Sequence, residues 1–190
     1  MVGKVFSHQF GEHIPSGIAK YGLASQLYLD ISILARKIGE EATTSKDYLS
    51  LATPLALTFS ALCTLCERYS CPADCEKSTP EAAAMQAQAI DGLKTVSDSI
   101  RDFSENLNAA TPSQQDLDRL SPIIMDALYS AASNFAWMVR ESGDERSQIA
   151  LESLRHSLRR IGGRWRNAAE YLRILEAQEF TYAVGSAGSA

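Results

Sequence analysis

The sequence predicts an all-α fold, and three observations lead there. Apolar residues recur at spacings of three and four along most of the chain, which is the period of one buried helical face. Strand-type alternation is nearly absent. The periodic runs are bounded by Ser, Thr and Asp caps, by prolines and by glycines, the usual helix start and stop chemistry. About six amphipathic helices follow, forming a multi-helix array. Residues 1–20 read as a poorly ordered N-terminal segment, 21–182 as the helical domain and 183–190 as a disordered tail, AVGSAGSA being small and flexible.

The first helix is expected over Tyr21–Ala42, with Leu23, Leu27, Ile31, Leu34 and Ile38 on its buried face. The segment TTSKDY then supplies a turn. A second helix runs from about Pro54 to Tyr69 with Leu55, Phe59, Leu62 and Cys66 in one stripe. Cys71-Pro72 ends it, because the residue before proline is pushed out of helical geometry. Thr79 can cap the third helix, and Pro80 suits its first position, where no N–H is needed. Met85, Ala89, Leu93, Val96, Ile100, Phe103 and Leu107 continue the stripe over a span of roughly 43 Å at 1.5 Å per residue. Gly92 in its middle weakens helix propensity.

A polar linker, NAATPSQQD, follows. Ser121-Pro122 repeats the cap-plus-proline start, and Ile124, Leu128, Ala131, Phe135 and Val139 form the next stripe. Gly143 can adopt the left-handed conformation that closes a helix and Asp144 can cap its successor, a short αα-hairpin connection. Leu151, Leu154, Leu158 and Ile161 face the core in that successor, which Gly162-Gly163 stops. The last helix carries Trp165, Ala169, Leu172 and Leu175, with Phe180 docking beyond it.

Composition narrows the function classes. The chain has 190 residues and a formal net charge of -5, whereas a domain that binds DNA by itself is usually basic. The N-terminus has no apolar core or cleavage pattern of a secretory signal. The longest uncharged run, Leu51 to Cys66, falls short of the ~20 apolar residues of a spanning helix, so no membrane association is expected.

Four cysteines, Cys63, Cys66, Cys71 and Cys75, lie within thirteen residues and invite a zinc reading. Cys63 and Cys66 fall on the apolar side of a strong helix pattern, and only four residues separate the two pairs, too few for a chain that must wrap a metal. Buried or rim thiols fit better, since free cysteine often serves as apolar filler. His8, His13 and His156 stand in no ligand or catalytic spacing, and no nucleophile elbow, Gly-rich phosphate loop or HExxH occurs. No catalytic, cofactor-binding or metal residues are therefore assigned, and no cofactor is expected. Arg155, Arg159, Arg160, Arg164, Arg166 and Arg173 form the one basic concentration. Helix C-termini favour such residues, and Glu170, Glu176 and Glu179 lie near enough to offset them. Trp137 and Trp165 read as core aromatics.

The pattern of Ser121–Phe180 is an aromatic-rich helix, the turn ESGDE, a Leu-periodic helix, and RW-x2-A-x2-YL in Arg164-Trp165, Ala168 and Tyr171-Leu172. It resembles the C-terminal part of the helical regulatory domain of fungal zinc binuclear cluster (Zn2Cys6) transcription factors. ERYSCP, upstream, resembles a helix end in the same domain. The resemblance is most specific over Ser121–Phe180 and weaker before Thr79. It implies part of a larger helical regulatory domain, a non-catalytic module that meets protein partners, by self-association or through other transcription regulators, in the nucleus. The family's zinc module needs six cysteines interleaved with basic residues. This chain has four in another pattern, so contact with DNA would run only through a module absent here. A fragment of a longer gene, a truncated paralogue and a free-standing modulator, the last compatible with the cytoplasm, remain open. The alternative is a small all-α ligand-binding or metal-binding protein using Cys63–Cys75.

Overall fold

The expected stripes become the buried faces of helices in the computed structural model, which describes residues 18–45, 48–71, 79–163 and 165–187. The described residues form seven helices and no strand: α1 (Ile18–Thr44), α2 (Tyr48–Ser70), α3 (Pro80–Ala110), α4 (Gln114–Leu117), α5 (Ile123–Ser142), α6 (Glu145–Gly162) and α7 (Arg166–Ala187). The chain packs as two units, Met1–Val96 and Ser97–Ala190, and the division falls inside α3.

In the first unit α1 buries Ala24, Leu27, Ile31, Ala35 and Ala42. This corrects the expected face. Leu23 is exposed and Leu34 and Ile38 only half-buried, because the line of contact follows small alanines that allow closer helix approach. Leu29 and Ile33 are exposed on the other side of α1. α2 begins at Tyr48, well before Pro54, which sits inside the helix. An internal proline costs about 3 kcal/mol and forfeits one backbone bond. Burial of Ala52, Leu55, Ala56 and Phe59 around it offsets that cost, so packing overrides the local start signal. α2 is long and apolar enough to cross a membrane by length and composition, yet 56% of its apolar window is buried inside the protein.

α3 starts as expected, with the Ala82 N–H donating to Thr79 Oγ1 at 3.2 Å. All seven stripe residues from Met85 to Leu107 are buried. Gly92 has a packing reason to be in a helix. A Cβ there would stand 2.9 Å from both Cys66 Sγ of α2 and a ring carbon of Tyr28 of α1, so the three helices meet where a side chain is missing. Ser25 Oγ donates to Gln88 Oε1 at 2.9 Å beside this junction.

In the second unit the expected linker after α3 contains the short helix α4. Ser113 and Asp116 form a reciprocal capping box there, and Leu117 and Leu120 turn inward. Ser121 does not cap α5. Pro122 occupies the cap with helical angles and no side-chain bond. Tight backbone bonds from Ile124 N–H to Ser121 O and Met125 N–H to Pro122 O, both 3.1 Å, close the first turn instead. Gly143 takes φ 63°, and its N–H donates to Val139 O at 2.8 Å. Asp144 then caps α6 by accepting from Ser147 N–H at 2.9 Å.

Leu151, Leu154 and Leu158 of α6 are fully buried, each worth about 1.5–3 kcal/mol of transfer free energy. Gly162 ends α6, and a Cβ on it would come 3.3 Å from Ala168 Cβ at the start of α7. α7 continues to Ala187, past the Tyr182 boundary at which a disordered tail was expected. Core assignments are corrected here too: Trp137 is 37% exposed, Ala169 is exposed while its neighbour Ala168 is buried, and Val139, Trp165 and Leu172 are only half-buried. Residues 1–17, the centre of the TTSKDY turn, Pro72 to Ser78, Arg164, the Phe180 side chain and residues 188–190 lie outside the described set.

Gly92→Ala tests the junction in the first unit. Alanine inside a helix ordinarily gains about 1 kcal/mol over glycine, but overpacking costs about 1–3 kcal/mol. Urea unfolding should show a net loss for Gly92→Ala and a net gain for Gly22→Ala, where nothing stands within 4 Å. Equal gains would place no helix junction at Gly92.

Candidate functional site

The segment Ser121–Phe180 folds as α5, α6 and most of α7, so its chemistry can be judged residue by residue. Within the ESGDE turn, Gly143 and Asp144 serve chain reversal. Gly143 supplies the positive φ that side-chain-bearing residues rarely adopt, and Asp144 holds two donors, Ser147 N–H and Ser147 Oγ, at 2.9 and 2.7 Å. Those donors hold the Asp144 carboxyl below the usual carboxylate range.

In the RW-x2-A-x2-YL motif, Ala168 is wholly buried against Gly162. Trp165 and Leu172 are half-buried, and Leu175 one turn on is fully buried. Tyr171 joins α7 to α5. Its hydroxyl donates to Asp126 Oδ1, and its ring stacks on Tyr129 with centroids 4.4 Å apart and planes inclined by 16°. The Asp126 carboxylate, with burial second, pushes the Tyr171 hydroxyl up to about 12. Arg164 lies outside the described residues.

The arginine concentration disperses in the structure. Arg155 is buried and pairs with Glu152 at 2.7 Å. Arg160 turns inward and donates to Asn108 O and Oδ1 at 3.1 and 3.0 Å and to Thr111 O, closing off carbonyls at the end of α3. Arg173 pairs with Glu170 at 3.2 Å, and Arg159 and Arg166 stay exposed. No continuous basic surface results from the described arginines.

A second set of polar residues lies inside the fold. Ser97 and Ser104 of α3, and Thr111 just past its end, stand seven apart and are all fully buried. Asn134 Nδ2 of α5 donates to Ser97 Oγ at 3.3 Å, Ser104 Oγ donates to Ser157 Oγ of α6 at 2.8 Å, and Asn108 Nδ2 reaches the same oxygen at 2.7 Å. Thr111 Oγ1 satisfies itself on Leu107 O at 2.8 Å. The signal in the sequence is the seven-residue spacing of Ser97 and Ser104 beside the apolar stripe, which keeps them on one face of α3.

Cys63 and Cys66 are buried on α2, as the stripe predicts. Burial, with Glu67 adding to it, pushes the Cys66 thiol up to about 12, and burial drives Cys63 well above the usual thiol range. Burial thus favours the neutral thiol over the thiolate at both positions. Cys71 is exposed at the helix end, and Cys75 lies outside the described residues, as do His8 and His13. His156 is on the exposed face of α6. An open groove of about 580 Å³ runs between α3 and α6, with Asp102 and Glu105 on one wall, Glu145 and Ile149 on the other, and Arg101 and Arg146 among them.

No family model, no curated protein and no solved structure matches this chain.

Tyr171→Phe should lower stability by about 1 kcal/mol, the scale of one hydrogen bond lost with its partner kept. The pH dependence has a definite sign. A tyrosine whose folded pKa is raised contributes stability that is whole below its unfolded value of about 10 and is lost as pH climbs through about 12. The wild-type protein should therefore lose stability relative to Tyr171→Phe over that alkaline interval. A stability difference that stayed constant from pH 8 to 12 would contradict the Asp126 contact.

Proposed function

We propose that this chain is a non-catalytic regulatory and protein-interaction module of a fungal transcription regulator of the zinc-cluster type. One observation carries the reading: Ser121–Phe180 resembles the end of that family's regulatory domain in its ESGDE turn and its RW-x2-A-x2-YL motif. The role each motif residue plays supports it. Gly143 and Asp144 reverse the chain, Ala168 admits a close helix, and Tyr171 clasps α7 to α5, so the motif is scaffold chemistry. A scaffold of this kind holds outward faces in register for other proteins.

On this reading the module works in the nucleus and reaches DNA only through a zinc cluster carried elsewhere. Two features fit that division of labour. The net charge is -5, and three of the clustered arginines are engaged within the fold or on neighbouring carboxylates: Arg160 on Asn108, Arg155 on Glu152 and Arg173 on Glu170.

The test uses the purified 190-residue chain and the same chain fused to an unrelated DNA-reading domain. The chain alone should show no sequence-specific DNA binding across a salt series, while the fusion should change transcription from a reporter carrying the matching sites. Specific, salt-resistant binding by the chain alone would overturn the proposal, as would a fusion that leaves transcription unchanged.

A further inference from the structure

α6 turns its leucines inward, and its outer face carries an unusual sequence of charges. Glu145, Ile149, Glu152, His156 and Arg159 follow at spacings of four, three, four and three, so they form one line along the helix. All five are exposed, and Ile149 at 65% is the most exposed of the large apolar side chains among the described residues. The N-terminal half of the line is acidic and the C-terminal half basic. Glu145 and Arg159 make no ion pair among the described residues. At 1.5 Å per residue they stand roughly 21 Å apart, well beyond the ~8 Å screening length at physiological salt. Neither can neutralise the other within one chain.

We infer that a second copy of this chain docks antiparallel on this line of α6, about a two-fold axis near Glu152 and Ser153. The charge order selects both the occupant and the direction. A two-fold interface uses the same patch on both copies. Antiparallel pairing sets Glu145 of each copy beside Arg159 of the other, giving two attractive pairs, and brings Ile149 against the imidazole face of His156. Parallel pairing would set like charges together.

The centre of the line tolerates the axis because Glu152 is already bound to Arg155 at 2.7 Å. The groove beside Glu145 also holds Glu105 of α3, while its two arginines, Arg101 and Arg146, are paired with Asp98 and Asp102. One helical face is a small interface by the standards of stable complexes, so the association belongs to the weak class. The inference does not depend on the transcriptional reading, which would survive its failure.

Sedimentation equilibrium of the full 190-residue chain provides the test. The wild type should form a salt-sensitive dimer, and Ile149→Asp should abolish it. Glu145→Arg and Arg159→Glu should each weaken the dimer by about tenfold or more, and the double variant should restore it, because reversing both charges recreates both pairs. Circular dichroism checks that each variant keeps its helices. A wild-type chain that stays monomeric at about 100 μM, a concentration that reveals even weak interfaces, would overturn the inference. So would a double variant no better than the single ones, the outcome expected if the line serves a different protein partner.

Discussion

The reversal at Gly143 and Asp144 is the constraint from which the second unit follows. Gly143 is the one glycine with positive φ among the described residues, and its N–H returns to Val139 O in the last turn of α5. Two residues later α6 has begun, capped by Asp144. With so short a connection, α5 and α6 have no choice but to lie side by side. Ile124, Leu128, Ala131 and Phe135 then share an interior with Leu151, Leu154 and Leu158. The close approach of Gly162 to Ala168 repeats the device at the other end of α6, and the Tyr171 hydroxyl on Asp126 closes the three helices into a ring of contacts.

Polar groups give that packing its register. Apolar side chains alone fill space without fixing how far one helix slides along another. A hydroxyl that must meet a partner does fix it, since an orphaned buried donor costs about 1–3 kcal/mol. Ser104 meeting Ser157, Ser97 meeting Asn134, and Arg160 reaching carbonyls at the end of α3 tie the C-terminal half of α3 to α5 and α6 at defined positions. The large apolar side chains left exposed among the described residues are Trp137 and Ile149 in the second unit and Leu23, Leu29 and Ile33 of α1 in the first.

Much of this was legible from periodicity. The α3 stripe from Met85 to Leu107 and the α6 leucines were assigned to the core and are there, and the Thr79, Gly143 and Asp144 caps act as their residue types imply. Where structure and sequence expectation differ, packing overrides a local signal. Pro54 carries a helix-start signal and lies within α2, Leu23 outranks Ala24 in hydrophobicity but not in fit, and Trp137, whose type and spacing suit the core, is 37% exposed. The Tyr171–Asp126 clasp joins residues 45 apart in sequence, and no local pattern announces such a pair. For function the sequence offers a resemblance and no site chemistry, because turn and packing residues carry nothing that names a ligand.

The role of Gly143 can be isolated more cleanly than that of any other residue here. No atom stands within 4 Å of where its Cβ would be, so a side chain there meets no steric obstacle and only the left-handed backbone objects. The direct measurement is the unfolding free energy of Gly143→Ala beside Gly143→Asn, with hydrogen exchange read across α5 and α6. Alanine should cost about 1–2 kcal/mol and asparagine clearly less, since asparagine tolerates this conformation, and protection in both helices should fall together. An alanine variant as stable as the wild type, or one that loosens α6 while α5 keeps its full protection, would contradict the account.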